Sequence, residues 1–252
     1  MRGLPKLTIA SARMIYRSPA SLRVAFMTPL IFAAVIALFH QLRFETGTGQ
    51  VNFFDYISVG AAFWYVTYAA EHGMTDAAAG YRAQGVLKRI AATPISSGTF
   101  ITAHVLARVG LGVVQSLVVL GAAKLLGAHI KLGANFAWEL VPVTMIVLAA
   151  LSIGFIWAGV TRTPGGANTL DVMAAIPILF LSGAMWPRSA YPHLAQEITD
   201  YAIPFVPMFD MLRGIALRGA SITHYGHQLL IAGPWIAALL LIASRVYQLK
   251  ED

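Results

Sequence analysis

Five stretches of apolar residues, each about as long as a bilayer is thick, follow one another along this 252-residue chain, and a sixth is drawn less sharply. A helix needs about 20 such residues to cross the hydrocarbon core. Lipid satisfies no backbone polar group, so each run is a candidate spanning helix. With 58% hydrophobic and 12% charged residues, the composition agrees. The expectation is an all-α integral membrane protein with six transmembrane helices, forming a single transmembrane domain over residues 1–252. Spans of this number use roughly half the chain, and no large soluble domain fits in the rest.

The spans are predicted at Ser21 to His40, Phe53 to Ala70, Thr99 to Leu126, Phe136 to Val160, Ala167 to Leu181 and His227 to Ala243. The first is similar to a signal peptide, but no small-residue cleavage site follows it, so it is kept as a mature helix. Before it, residues 1–19 set Arg2, Lys6, Arg13 and Arg17 among apolar neighbours, the pattern of an amphipathic helix lying at the interface. Arg43 to Asn52 reads as a polar loop. Residues 71–94 form the longest polar-interrupted segment of the first half, with Val86, Leu87 and Ile90 spaced as on a short amphipathic helix that Pro94 ends. In residues 186–226, Pro187, Arg188, Pro192, Pro204 and Pro207 interrupt the pattern too often for a span. Short extracellular re-entrant helices before the last span fit better. Of the 18 Lys and Arg residues, 12 fall on the side of the N-terminus and six on the other. That bias places both termini in the cytoplasm.

Several chemistries are excluded or disfavoured. Cysteine is absent, so there is no disulfide, thiolate metal site or Cys nucleophile. No G-x-x-x-x-G-K-[ST], H-E-x-x-H or G-x-S-x-G occurs, so the chain has no P-loop and no catalytic residue is assigned. His224 and His227 are spaced as two metal ligands, but loop histidines of this kind are ordinarily solvated, and no metal site is assigned. The net charge of +7 is ascribed to cytoplasmic ends and anionic lipid, not to nucleic acid.

The segment Gly80-Tyr-Arg-Ala-Gln-Gly-Val-Leu-Lys-Arg-Ile-Ala-Ala-Thr-Pro-Ile-Ser96 resembles the first cytoplasmic loop of type-2 ABC exporter permeases. Pro204-Phe-Val-Pro-Met-Phe-Asp-Met-Leu-Arg-Gly214 is similar to the stretch that precedes the last span of that family. The chain departs from the family where acidic residues usually flank the loop arginine, here Tyr81 and Ala83, and where Ile203 replaces an Asn before the proline. The resemblance covers the amphipathic start, the span order and the length. It implies that Arg82, Gly85, Val86, Leu87, Lys88, Arg89 and Ile90 form a coupling helix that seats on a separate ATPase subunit, with ATP and Mg bound there and no cofactor in this chain. A short helix with an apolar side and cationic flanks suits such docking. The simpler reading is that its cations only hold the loop at anionic lipid.

Charges near membrane depth are costly unless paired or near water, which draws attention to Glu71 and Asp171. Asp171 is read as capping its helix near the cytoplasmic interface; the functional alternatives are a gate at the inner end of a path and a pair with Arg162. Glu71, His72, Asp76, His104 and Arg108 are expected to form a network between the second and third spans. The resemblance places the second and fifth spans along the export path, making Phe63, Trp64, Tyr65, Tyr68, Phe180 and Trp186 candidates for substrate contact. An aromatic belt at the interface explains the same residues.

The resulting expectation is a permease subunit of an ATP-driven exporter in a bacterial inner membrane. It would pair with a same or related permease and with two ATPase copies, and move drug-like or lipid-like amphipaths outward by alternating access. The alternative is a membrane enzyme acting on a lipid headgroup, with His193, Glu197, Asp200, Asp210, Arg213 and His224 gathered on the outer face. A passive channel is disfavoured because no span carries a repeated polar stripe.

Overall fold

The structure, a computed structural model, describes residues 4–16, 19–46, 49–86, 97–161 and 163–247. It is built almost wholly of helices. In chain order these are α1 (Leu4–Tyr16), α2 (Pro19–Ala37), α3 (Phe53–Ala83), α4 (Ser97–Leu125), α5 (Leu140–Thr161), α6 (Pro164–Leu181), α7 (His193–Ala202), α8 (Phe205–Arg218) and α9 (Gly226–Val246). Among the described residues, four helical segments are long and apolar enough to cross a membrane: Thr102–Leu125, Ala134–Thr161, Pro164–Leu181 and Ile222–Val246. Phe26–Ala37 is a shorter apolar helix. α3 is long enough, but Asp55, Glu71, Asp76 and Arg82 dilute its hydropathy.

Two expectations are corrected here. The polar loop after the first span is a β-hairpin, β1 (Arg43–Thr46) antiparallel to β2 (Gly49–Asn52), with Arg43 opposite Asn52. Asn52 then joins strand to helix. Its Oδ1 accepts from the N–H groups of Phe54 (2.8 Å) and Asp55 (3.4 Å), satisfying two free donors at the start of α3, while its Nδ2 donates to the His40 carbonyl at 2.7 Å. The loop drawn from residue 71 also begins as helix. α3 runs unbroken for 31 residues to Ala83, about 46 Å of helix, against a hydrocarbon core of about 30 Å. Glu71, His72 and Asp76 therefore lie on the same rigid rod as Tyr56 and Phe63.

α3 is the axis of the bundle. It packs most extensively on α5 and also touches α2, α4, α6 and α8. Small residues let it do so: Gly60, Ala61, Ala62, Ala70, Ala78 and Ala79 are all buried along it. On the facing helix, a Cβ at Gly154 would stand 2.6 Å from the Glu71 carbonyl oxygen, so only glycine permits this backbone approach. α5 is buried along most of its length, whereas most of α6 faces outward, exposing Val172, Met173, Ile176 and Phe180. α9 closes the bundle against α5 and α8. Just beyond its end, the buried Tyr247 hydroxyl donates to the Ala78 carbonyl at 2.8 Å.

Candidate functional site

Polar side chains recur along α3 at helical spacing and define two faces. Thr67, Glu71 and Thr75 follow one another at i, i+4, buried toward α5. The two threonines return their hydroxyls to the carbonyls of Phe63 (2.8 Å) and Glu71 (2.9 Å). Beside them runs a stacked ladder, Trp64 on Tyr68 (ring centroids 5.9 Å) and Tyr68 on His72 (5.0 Å, nearly parallel). The ladder ends at Asp76, 3.4 Å from His72 Nε2.

These faces meet α5 and α6 at one place. His72 Nδ1 lies 2.6 Å from Oδ2 of Asp171, which is almost completely buried. The Trp157 indole N–H donates to Glu71 Oε1 at 3.0 Å. Both ring nitrogens of His72 thus face carboxylate oxygens, Nδ1 that of Asp171 and Nε2 that of Asp76. Asp171 is not the helix cap expected from sequence. Thr163 caps α6 by accepting from the Gly166 N–H, with Pro164 in the first turn, and Asp171 sits two turns further in, clamping α6 to α3. Arg162, its other expected partner, lies outside the described residues.

The α4 members of the expected network reach α3 one turn or more further along. Arg108 donates to the Gly73 carbonyl at 2.7 Å. His104 has Nδ1 3.0 Å from the Phe100 carbonyl, which can only accept, so Nε2 is left as an acceptor, with the hydroxyls of Tyr81 (3.2 Å) and Ser11 (3.4 Å) both within reach of its one lone pair. That histidine joins α1, α3 and α4.

The C-terminal end of α3 carries the coupling candidates. Arg82 does not point away as a docking cation. It donates to the Ala158 carbonyl of α5 at 2.8 Å and lies over the Tyr247 ring at 5.3 Å. Gly85, at φ 66°, supplies the left-handed residue that ends the helix. Val86 is half-buried. Leu87, Lys88, Arg89 and Ile90 lie outside the described residues.

The aromatic candidates diverge. Phe63 is buried against Phe209 (4.7 Å) and Phe205 (5.9 Å) of α8. Tyr65 meets Phe32 of α2 edge-on. Trp64 and Tyr68 belong to the ladder above, while Phe180 and Trp186 are exposed on and after α6.

The residues proposed for headgroup chemistry do not converge either. His193 pairs with Glu197 on exposed surface, and His224 turns to the Ser221 carbonyl. Asp200 and Asp210 are held by Arg188, and Arg213 donates to the Gly183 carbonyl at 2.5 Å. His227 packs on Tyr201, away from His224.

The model of the ABC-2 type transporter family matches residues 6–217, from α1 to the end of α8. The chain belongs to the ABC-2 type transporter family. No curated protein matches it. This ABC-2 protein is accordingly an integral membrane permease component of an ABC transporter. In the permease, Trp157 and Tyr247 are the residues that sequence reasoning missed. Both are aromatic side chains carrying a single donor within apolar surroundings, the type that must find a partner when buried. Glu139, at the start of the α5 rod, was missed too. It is buried, and its carboxylate has no hydrogen-bond partner among the described residues.

Proposed function

We propose that the chain is the six-span permease half of an ATP-driven exporter, with the short apolar helix in α2 and the polar α3 completing the set of spans. α1 lies at the cytoplasmic interface, both termini are cytoplasmic, and α7 and α8 form a re-entrant pair on the outer side. Two such halves, alike or related, assemble with two ATPase subunits that carry ATP and Mg. Substrate is an amphipathic drug-like or lipid-like compound, and the setting is a bacterial inner membrane.

The observation that carries this reading is the base of the segment after α3. Arg82, Tyr81 and Ala78 tie the end of α3 to α5, α4, α1 and the residue after α9. A push on residues 87–96 is therefore delivered to most of the bundle. It also travels up α3 to the clamp of His72 on Asp171, through which α3 holds the largely exposed α6. Closure of the ATPase pair would move the α3 end, rearrange α3 against α6 and open the path outward. The ladder Trp64–Tyr68–His72 offers flat apolar surface beside that hinge for an aromatic or lipid-like cargo.

The test is a pull-down of tagged protein in mild detergent, comparing wild type with a Val86→Asp/Leu87→Asp variant. An ATPase retained by wild type and lost from the folded variant is the expected result. Absence of any ATPase from both would overturn the reading. Sidedness is read separately: with no native cysteine, single cysteines at Lys6 and Leu194 should react with an impermeant maleimide from opposite sides of the membrane.

A further inference from the structure

At the N-terminal end of α3 a cavity of about 560 Å³ opens between the β-hairpin, the segment after α4 and α8. Its lining includes Arg43, Asp55, His129, Asp210, Arg213 and Arg218. Three guanidinium groups thus face two carboxylates, and both carboxylates are already engaged. Asp55 accepts from the His129 backbone N–H at 2.8 Å and lies 3.0 Å from its Nδ1, while Asp210 accepts from Arg188 at 3.2 Å. Neither Arg213 nor Arg218 forms a salt bridge among the described residues. Arg213 lies with its guanidinium over the rings of Tyr56 (4.0 Å) and Phe209 (4.3 Å) and one nitrogen on the Gly183 carbonyl, yet its Nε is shut off from solvent and has no hydrogen-bond partner among the described residues.

The gathering of these cations needs a cause. Arginines on the outer side work against the topology signal that keeps Lys and Arg inside. Of the four outer arginines, three line this one cavity, and the fourth, Arg188, adjoins it through Asp210. Arginine forks match phosphate oxygens two at a time, and a phosphate offers oxygens enough to engage more than one guanidinium, which a single carboxylate does not. The volume suits a phosphate with a small polar body attached. Beside it, α7 exposes Leu194, Ile198 and Tyr201 in one stripe, and Arg188 ties α7 to the cavity by bridging Asp200 and Asp210. An amphipath whose phosphate sat in the cavity would lay its apolar part along that stripe.

We propose that this cavity binds the phosphate group of an amphipathic ligand at the membrane surface. The location on the outer face rests on the orientation proposed above, but binding itself does not, and can be measured without it. The full chain is purified in neutral detergent and titrated with three probes at low ionic strength: glycerol 3-phosphate, dioctanoyl phosphatidic acid, and dioctanoylglycerol as the neutral control. The expected result is binding of the phosphate lipid, weakened about tenfold or more by Arg218→Gln and by Arg43→Gln, and weakened by added salt. Both substitutions alter exposed side chains outside the bundle core, and Arg218→Lys, which keeps the charge, should recover part of the affinity. Equal binding of glycerol 3-phosphate identifies a free phosphate ester as sufficient, whereas binding of the lipid alone identifies a headgroup site. The proposal is overturned if neither phosphate probe binds, if dioctanoylglycerol binds as tightly, or if the folded glutamine variants bind as wild type does. Cysteine labelling at Gln50 would then report which side the cavity faces, independently of that outcome.

Discussion

The two ends of α3 each carry a buried polar cluster, and they are built on opposite principles. At the Glu71 end, carboxylates are held by an indole N–H and an imidazole. Among the described residues, no Lys or Arg lies within salt-bridge distance of Glu71 or Asp171. At the Tyr56 end, arginines do the holding: Arg188 bridges Asp200 and Asp210, and Arg213 and the Tyr56 hydroxyl converge on the Gly183 carbonyl at 2.5 and 2.7 Å. Arginine keeps its charge under all conditions, so the second cluster is a fixed anchor. Histidine and carboxylates change charge with their surroundings, so the first cluster can be remade. The hinging proposed for this permease has use for one of each.

The strongest way to break the comparison is to remove the device both ends share. A Cβ on Gly154 would stand 2.6 Å from the Glu71 carbonyl, and one on Gly60 would overlap the Ala184 carbonyl oxygen. Gly154→Ala and Gly60→Ala should each cost about 3 kcal/mol, the upper range for overpacking against backbone. The check is a thermal melt in detergent followed by size-exclusion chromatography. If either substitution is neutral, α3 is not the tightly seated axis of the bundle.

Next in size is Arg188→Ala, which strips two carboxylates of their cation. Loss of one partner from a fully buried pair costs about 3–5 kcal/mol. Asp200 and Asp210 are 43% and 33% exposed, which brings the expectation down to about 2 kcal/mol. Smaller again is Trp157→Phe, which removes the donor to Glu71 while keeping most of the packing, and should cost about 1 kcal/mol. A double-mutant cycle with Glu71→Gln isolates that bond; a coupling energy near zero would show that the indole only fills space.

Much of this architecture is legible in the residues. The spans announce themselves by length and hydropathy, and Thr163-Pro164 marks the start of α6 as local capping rules require. The α3 axis is not legible in the same way. Glu71, His72 and Asp76 look like loop residues because their partners are remote: Trp157 lies 86 positions from Glu71 and Asp171 lies 99 from His72. Arg82 misleads for the same reason, since a cation in a basic segment reads as surface until Ala158, 76 positions on, is brought beneath it. The hairpin hides in a short polar stretch, and what ties it down, the Asn52 bridge from the His40 carbonyl to the start of α3, appears only in the fold. The cationic cavity draws on the hairpin, the residues after α4 and α8, which no local pattern connects.

The sharpest comparison uses one substitution at both ends. Asp171→Asn keeps the volume of the side chain and an oxygen that can still accept from His72 Nδ1–H, so the clamp on α6 survives if its main content is a hydrogen bond. Asp210→Asn keeps volume too, but Arg188 would then hold a neutral amide where a carboxylate stood, losing a charge-assisted bond. The expected costs are below about 0.5 kcal/mol for Asp171→Asn and about 1 kcal/mol for Asp210→Asn. Added salt should narrow the gap by weakening the part-exposed arginine contact in the wild type. Paired melts at low and high salt measure both quantities. Should Asp171→Asn prove the more damaging, the Glu71 end depends on fixed charge after all, and its proposed role as the end that is remade during transport loses its physical basis.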